Sequence, residues 1–397
     1  MIRNLRAKLD AIASTPKGGE ELASAHDEAP RLCMQIIRET RPLADMFGFE
    51  RVTEREVGII EPTLNQAFDP ATTLFIDTET TGLARGVGTI AFLIGVGWVE
   101  GDALVIEQYL MLDYDGETQA LSAAYERMAA AQTLVSFNGK SFDLPLLASR
   151  MVLSRLRMPE RQHLDLLHCA RRFWKLRLQS CSLTRLEEAV LGMTREDDLP
   201  SAEVPQRFFD YLKTGNFALL EDVLRHNRQD IASMAALVGV MASLVREQGV
   251  GKAPEDVYSL GHVFERAGCE TEAEQCYRVS MNRTATAWVA RRSLTKLYKR
   301  RRDDRLACET LSEAVRRGMG DMEAMLELAR LYEWRMRDID AALAVVDQAL
   351  ARLDRAESIA RLRGAVTVHG EVLREDLQRR MARLERKRKK REEAARV

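Results

Sequence analysis

Asp77-Thr78-Glu79-Thr80-Thr81-Gly82-Leu83 is the segment of this 397-residue chain best suited to chemistry. It follows a short apolar, partly β-branched run, Thr73 to Ile76. Two acids two residues apart on a strand project from one face. Carboxylates that close repel each other and lose hydration together unless a positive charge lies between them. A hard divalent cation, which prefers oxygen ligands, would supply that charge. Alone, the pair reads more simply as a solvated edge pair.

Two further segments add to it. Ser136-Phe137-Asn138-Gly139-Lys140-Ser141-Phe142-Asp143-Leu144-Pro145 places an acid at a strand-to-helix junction. Asp143, just ahead of Pro145, also fits a helix cap. His226-Asn227-Arg228-Gln229-Asp230 lies in a long helical stretch, and His226 and Asp230, four apart, share a face beside its apolar stripe. By themselves they also suit a solvated face. His163, Asp165 and His168 have no zinc-motif form. Arg171, Arg172, Lys175 and Arg177, interleaved with Phe173 and Trp174, could flank a nucleic-acid strand. A core aromatic pair with snorkelling basic residues is the simpler reading.

Taken together, the three acidic segments resemble the DEDD superfamily of 3′–5′ exonucleases. Asp77-Thr-Glu79-Thr-Thr-Gly-Leu matches its first motif, Asn138 to Asp143 its second, and His226 with Asp230 its third. Phe-Asn-Gly-Lys-Ser-Phe-Asp and Asn-Arg-Gln-Asp are similar, more narrowly, to the YprB-type ribonuclease H-like family. The resemblance spans about residues 70–246. It implies an α/β ribonuclease H-like domain, a mixed sheet flanked by helices. It implies that Asp77, Glu79, Asp143 and Asp230 hold two Mg²⁺ or Mn²⁺ ions, and that His226 orients or deprotonates the attacking water. Thr80, Thr81, Leu83 and Asn138 would border the terminal nucleotide, and Asp165 would be structural. Two such ions, roughly 3.5–4 Å apart, can activate water and stabilise the leaving oxygen. One departure stands out. Three residues separate His226 from Asp230, where the superfamily's His-containing branch has four. An inactive nucleic-acid-binding or adaptor protein is therefore the alternative to an active nuclease.

The elements that must position these residues can be read from pattern. Thr73 to Ile76, Ile90 to Val99, Leu104 to Leu112 and Thr133 to Phe137 read as strands, the middle two a hairpin about Glu100-Gly101-Asp102. Helices are expected over Glu117 to Ala131, Leu144 to Leu156 and 182–246. The order predicts an α/β layer with a mixed sheet. Leu260, Leu294 and Leu328 are 34 apart, as are Phe264, Tyr298 and Tyr332; Ala273, Ala307 and Ala341; and Tyr277, Leu311 and Val345. These columns resemble tetratricopeptide repeats, helix pairs that stack into a surface for a protein partner. The expected organisation is an extension over 1–70, the ribonuclease H-like domain over 71–247, all-α repeats over 254–355 and a charged helical tail over 356–397.

Composition bounds the rest. The net charge of −1 hides an asymmetry: residues 371–397 hold 11 Lys and Arg against 6 Asp and Glu. The run Arg386-Lys387-Arg388-Lys389-Lys390-Arg391 reads as a solvated helix end or as a phosphate-binding arm. The six Cys form no CxxC pair, which speaks against a disulfide framework and for a reducing, cytoplasmic setting. The first ten residues carry charge without an apolar stretch behind them, unlike a secretory leader. The run Ile90 to Val99, broken by Gly95 and Gly97, is about half a membrane span, so no membrane partner is expected.

Overall fold

Apolar β-branched runs and helical stripes assemble into a six-stranded mixed sheet followed by a helical region. The computed structural model describes residues 32–64, 67–82, 88–195, 199–362 and 368–395. The strands are β1 (Met34–Pro42), β2 (Thr73–Thr80), β3 (Ala91–Glu100), β4 (Ala103–Met111), β5 (Thr133–Ser136) and β6 (Gln162–Asp165). Their order across the sheet is β1-β4-β3-β2-β5-β6. β1, β4, β3 and β2 are antiparallel neighbours, while β5 and β6 continue parallel to β2.

The four expected strands fall within a few residues of their predicted places. β1 does not: it comes from the segment read as an extension, and it pairs with β4 over its whole length. Its alternating charges, Arg38, Glu39 and Arg41, obscure an apolar signal and suit an edge strand, whose outer side meets water. β6, Gln162-His163-Leu164-Asp165, holds a single apolar residue and so carries no strand pattern.

Helices α1 (Glu54–Ile60), α2 (Glu117–Ala130), α3 (Asp143–Leu153), α4 (Leu166–Leu178), α5 (Val204–Thr214) and α6 (Ala218–Arg246) cover the sheet. α6 contributes Leu220, Val223 and Leu224 to the core shared with Phe92, Leu121 and Phe208. From Ile231 onward it belongs to a second core with Phe75, Trp174 and Val57. His226 to Asp230 lies at the changeover. Close passage over β3 depends on glycine: a Cβ at Gly95 would meet Asn227 Oδ1 at 2.1 Å, and one at Gly97 would meet Ile231 Cγ2 at 2.5 Å. α6 is long and apolar enough to span a membrane by composition, but 72% of that stretch is buried inside the molecule. Burial within the fold accounts for its apolarity.

The helical region consists of α7 (Pro254–Arg266), α8 (Glu270–Ser280), α9 (Ala287–Arg300), α10 (Asp304–Arg316), α11 (Met322–Arg330), α12 (Ile339–Leu362) and α13 (Val368–Ala395). α7 packs on α4, where Arg177 Nε lies 2.9 Å from Asp256. Arg266 and Arg172 both pair with Glu61. Phe173 and Trp174 are buried, so this aromatic pair is core and not a surface for stacked bases. Leu260, Leu294, Phe264, Tyr298, Ala273, Ala307, Tyr277 and Leu311 are buried as the 34-residue columns require. The third unit slips by one residue: Ala342 and Val346 are fully buried, while Ala341 is only half-buried. A π-helical turn over Leu331–Met336 inserts the extra residue.

α13 is not a loose tail. Its Leu377 and Leu384 are buried, and it packs along α12. Arg383 and Lys387 each reach buried Glu333 at 2.7 Å. Lys387 Nζ sits 3.7 Å from the centre of the Trp334 ring. No disulfide forms among the described residues.

Candidate active site

Asp77 and Glu79 lie at the carboxyl end of β2, where pairing with β3 shifts register between Glu79 and Thr80. Asp143 opens α3, and His226 and Asp230 stand on α6. All five line one cavity of about 720 Å³. Thr80 and Asn138 line it too. Thr81 instead ties the end of β2 to the start of β3. Its hydroxyl accepts the Ile90 N–H at 3.1 Å, and its own N–H donates to Ile90 O at 3.0 Å. Leu83 lies outside the described residues.

Protein donors hold Asp77, Asp143 and Asp230. The Thr78 N–H and hydroxyl donate to Asp143 Oδ1 at 3.1 and 2.6 Å. Asp143 thus reaches back to β2 and does not act as a cap for its own helix. Asn227 Nδ2 donates to Asp77 Oδ2 at 2.8 Å. Asn227 is in turn fixed by Gln108, whose Nε2 donates to Asn227 Oδ1 at 2.8 Å and to Leu224 O at 2.9 Å. Arg228 Nη1 holds the other end of Gln108 at 3.0 Å. Arg195 bonds Asp230 Oδ1 and Glu187, and its Nη1 lies 3.2 Å from His226 Nδ1. His226 Nε2 faces Asp230 Oδ2 at 3.6 Å.

The loop of the second motif has its own brace. Asp165 accepts the N–H groups of Asn138, Lys140 and Leu167 at 2.9–3.1 Å. Asn138 takes the left-handed conformation, φ 67°, which asparagine tolerates better than most residues. His163 Nε2 is 2.8 Å from Ser136 Oγ, and burial pushes its pKa down to about 4. His168 is exposed. His163 and Asp165 therefore support the loop, His168 stands apart from it, and the three form no metal cluster.

Burial raises the pKa of Asp77 well above the ordinary range, and the charges of Asp230, Asp143 and Glu79 add to the effect. Burial likewise raises Asp143 against the hydrogen bonds from Thr78. It raises Asp230 against the opposing pull of His226 and Arg195. Such mutual repulsion is the electrostatic condition a divalent cation relieves. The donor set, all carboxylate and no thiolate, fits a hard ion such as Mg²⁺ or Mn²⁺. Among the described residues no three His, Cys, Asp or Glu side chains are gathered into a ready ligand set. The acids share a cavity without converging on a point.

Residues 74–242 match the RNase_H_2 family of the RNase_H superfamily. The uncharacterised protein YprB of Bacillus subtilis (strain 168) is 32% identical over 335 residues, covering 80% of each chain. The chain belongs to the YprB family of ribonuclease H-like proteins. An alignment of that length cannot fit inside the α/β layer, so the YprB likeness reaches into the helical region. Among solved structures, the family B DNA polymerase of the hyperthermophilic archaeon Pyrobaculum calidifontis is 15% identical with a TM-score of 0.35, covering 52% of this chain and 30% of that one. That weak likeness adds nothing to the assignment.

Sequence pattern pointed to the acids that line this cavity and missed the groups that support them. Asn227 stood inside a quoted motif but carried no sign of its contact with Asp77. Gly95, a glycine interrupting an apolar strand, is the signal that marks close approach of another element. Gln108, Arg195 and Glu187 have no local signal, because their partners are distant in sequence.

Proposed function

We propose that this protein is a metal-dependent nuclease of the DEDD type that hydrolyses nucleic-acid phosphodiesters from a 3′ end. The observation that carries the reading is the meeting of Asp77, Glu79, Asp143, Asp230 and His226, from three separate segments, around one cavity. Asp77, Glu79, Asp143 and Asp230 would hold two Mg²⁺ or Mn²⁺ ions. When bound, these ions would supply positive charge for the developing transition state and a polarised water. The chain does the positioning. Asn227 and Thr78 hold Asp77 and Asp143 at fixed angles, and Gly95 allows Asn227 to come that near. His226 orients or deprotonates the attacking water, for which an imidazole suits neutral pH. Thr80 and Asn138 border the terminal nucleotide. The 34-residue helix pairs act as tetratricopeptide-like units toward a protein partner.

A second reading has support of its own. Arg195 already takes one oxygen of Asp230, and the acids form no ready ligand set. A catalytically silent nucleic-acid-binding protein would look the same. Calorimetric titration with Mn²⁺ separates the two. The nuclease reading expects uptake in the millimolar range or tighter, lost in Asp77→Asn. No uptake, even with an oligonucleotide present, would favour the silent protein.

A further inference from the structure

Arg195 itself stands outside helix and strand, yet it bonds to several side chains at the cavity at once. Its Nη2 donates to Glu187 Oε1 at 2.7 Å and also bonds Asp230 Oδ1. Its Nε pairs with Glu187 Oε2 at 2.5 Å. Glu187 is fully buried, sits in a π-helical turn over Glu187–Leu191, and also accepts the Ser233 hydroxyl. Glu187 is therefore a fixed anchor in the core.

The contact with His226 is the most informative. A guanidinium has donors and no acceptor, so in the bond between Arg195 Nη1 and His226 Nδ1 the imidazole supplies the lone pair. The ring proton of neutral His226 is then assigned to Nε2, which faces Asp230 Oδ2 at 3.6 Å. In this arrangement the lone pair a general base needs is already engaged. One oxygen of Asp230 is engaged by the same residue.

We propose that Arg195, anchored by Glu187, is a positioning latch that closes the cation-free site by holding both Asp230 and His226, and that a divalent cation must displace it. The inference rests on the metal-dependent reading above. A cation beside Asp230 and the guanidinium carry like charge and compete for the same carboxylate. Glu187 keeps hold of Arg195 when it swings away, so opening leaves no buried acid unpaired. A site that is competent only when unlatched binds its ion more weakly, in proportion to its open fraction. The latch thus keeps the site closed until an ion takes Asp230 from Arg195.

The test compares the full wild-type chain with the double variant Arg195→Gln/Glu187→Gln, which removes both partners of the buried ion pair at no net change of charge and leaves Asp230 facing His226. Free Mn²⁺ is followed by electron paramagnetic resonance, and the His226 imidazole nitrogens by ¹⁵N NMR with and without Mg²⁺. His226→Gln supplies the resonance assignment. The double variant, unchanged in net charge, should bind Mn²⁺ about tenfold more tightly, the gain expected where the latched site is open roughly a tenth of the time. In the metal-free wild type, neutral His226 should be the Nε2–H tautomer. In the double variant, and in wild type with Mg²⁺, it should become a mixture. Equal Mn²⁺ affinity with an unchanged tautomer overturns the latch and leaves the metal reading standing. No Mn²⁺ uptake by either protein overturns both. Should the double variant not fold, Arg195→Lys, which keeps the charge but loses the fork, should shift affinity about threefold in the same direction; no shift there counts against the latch.

Discussion

At the scale of single residues, the site is a balance between repulsion and support. Asp77 is surrounded by Asp143, Asp230 and Glu79 and is steadied by Asn227. Its folded pKa lies above the unfolded value, so the folded chain binds the proton more tightly. Stability then falls as pH rises from the ordinary carboxylate range through the raised value. In chelator at pH 7, Asp77→Asn should therefore be more stable than wild type by about 1 kcal/mol or more, a rise in Tm of roughly 2 °C. The difference should vanish near pH 4. A thermal melt in EDTA at both pH values measures it, and a variant less stable at pH 7 would refute the electrostatic account. None of this was visible from spacing alone. Asp-x-Glu and the later acids announced that charges would gather, but not which neutral groups would hold them. Asn227 is bound to Asp77 across 150 residues of chain.

At the scale of elements, two small contacts decide whether the acids are aimed. Gly95 on β3 leaves room for Asn227 on α6. Gly95→Ala should cost about 1–3 kcal/mol by overpacking and should also displace Asn227 from Asp77. Denaturant melts and a crystal structure of the variant would check both. A wild-type midpoint would mean α6 has slack that the close approach does not suggest. Asp165 is the second contact. Asp165→Ala leaves the Asn138, Lys140 and Leu167 amides without their acceptor, at about 1–3 kcal/mol for such a loss. Amide exchange should quicken over 138–142, with the rest of the sheet unchanged. β2, β3, β4 and β5 were legible because apolar runs ended in turn residues. β1 escaped because its second half, Arg38-Glu39-Thr40-Arg41, holds no apolar residue, and β6 because it holds only one. The helix pairs were legible through their 34-residue columns, until the π-helical turn at Leu331–Met336 moved the third pair by one position.

At the scale of the whole molecule, α4 and α7 join the α/β layer to the helical region, and α13 closes the far end. Burial opposes the charge of Glu333, but Lys387 and Arg383 overcome it and hold its pKa below the ordinary value. That stability is present above about pH 4.5 and is lost as pH falls through the depressed value. Glu333→Ala should loosen α13 by about 3 kcal/mol, because two cations lose a buried partner. Limited trypsin digestion should then cut first within 379–391, whereas an unchanged cleavage pattern would mean that Leu377 and Leu384 alone hold the helix. The exposed residues Arg386, Lys389 and Lys390 remain available to phosphates. Deleting 386–397 should weaken nucleic-acid binding and make its log–log salt dependence shallower.

The central claim is that four carboxylates and His226 form a hydrolytic site for phosphodiesters. The direct measurement uses 5′-labelled single-stranded and duplex DNA and RNA oligonucleotides with Mn²⁺, Mg²⁺ or EDTA. Wild type is compared with Asp77→Asn and Asp230→Asn. The account predicts a ladder that shortens from the 3′ end, absent in EDTA and slowed at least about 100-fold in both variants. Intact substrates throughout, with wild-type protein shown to be folded and metal-loaded, would contradict it.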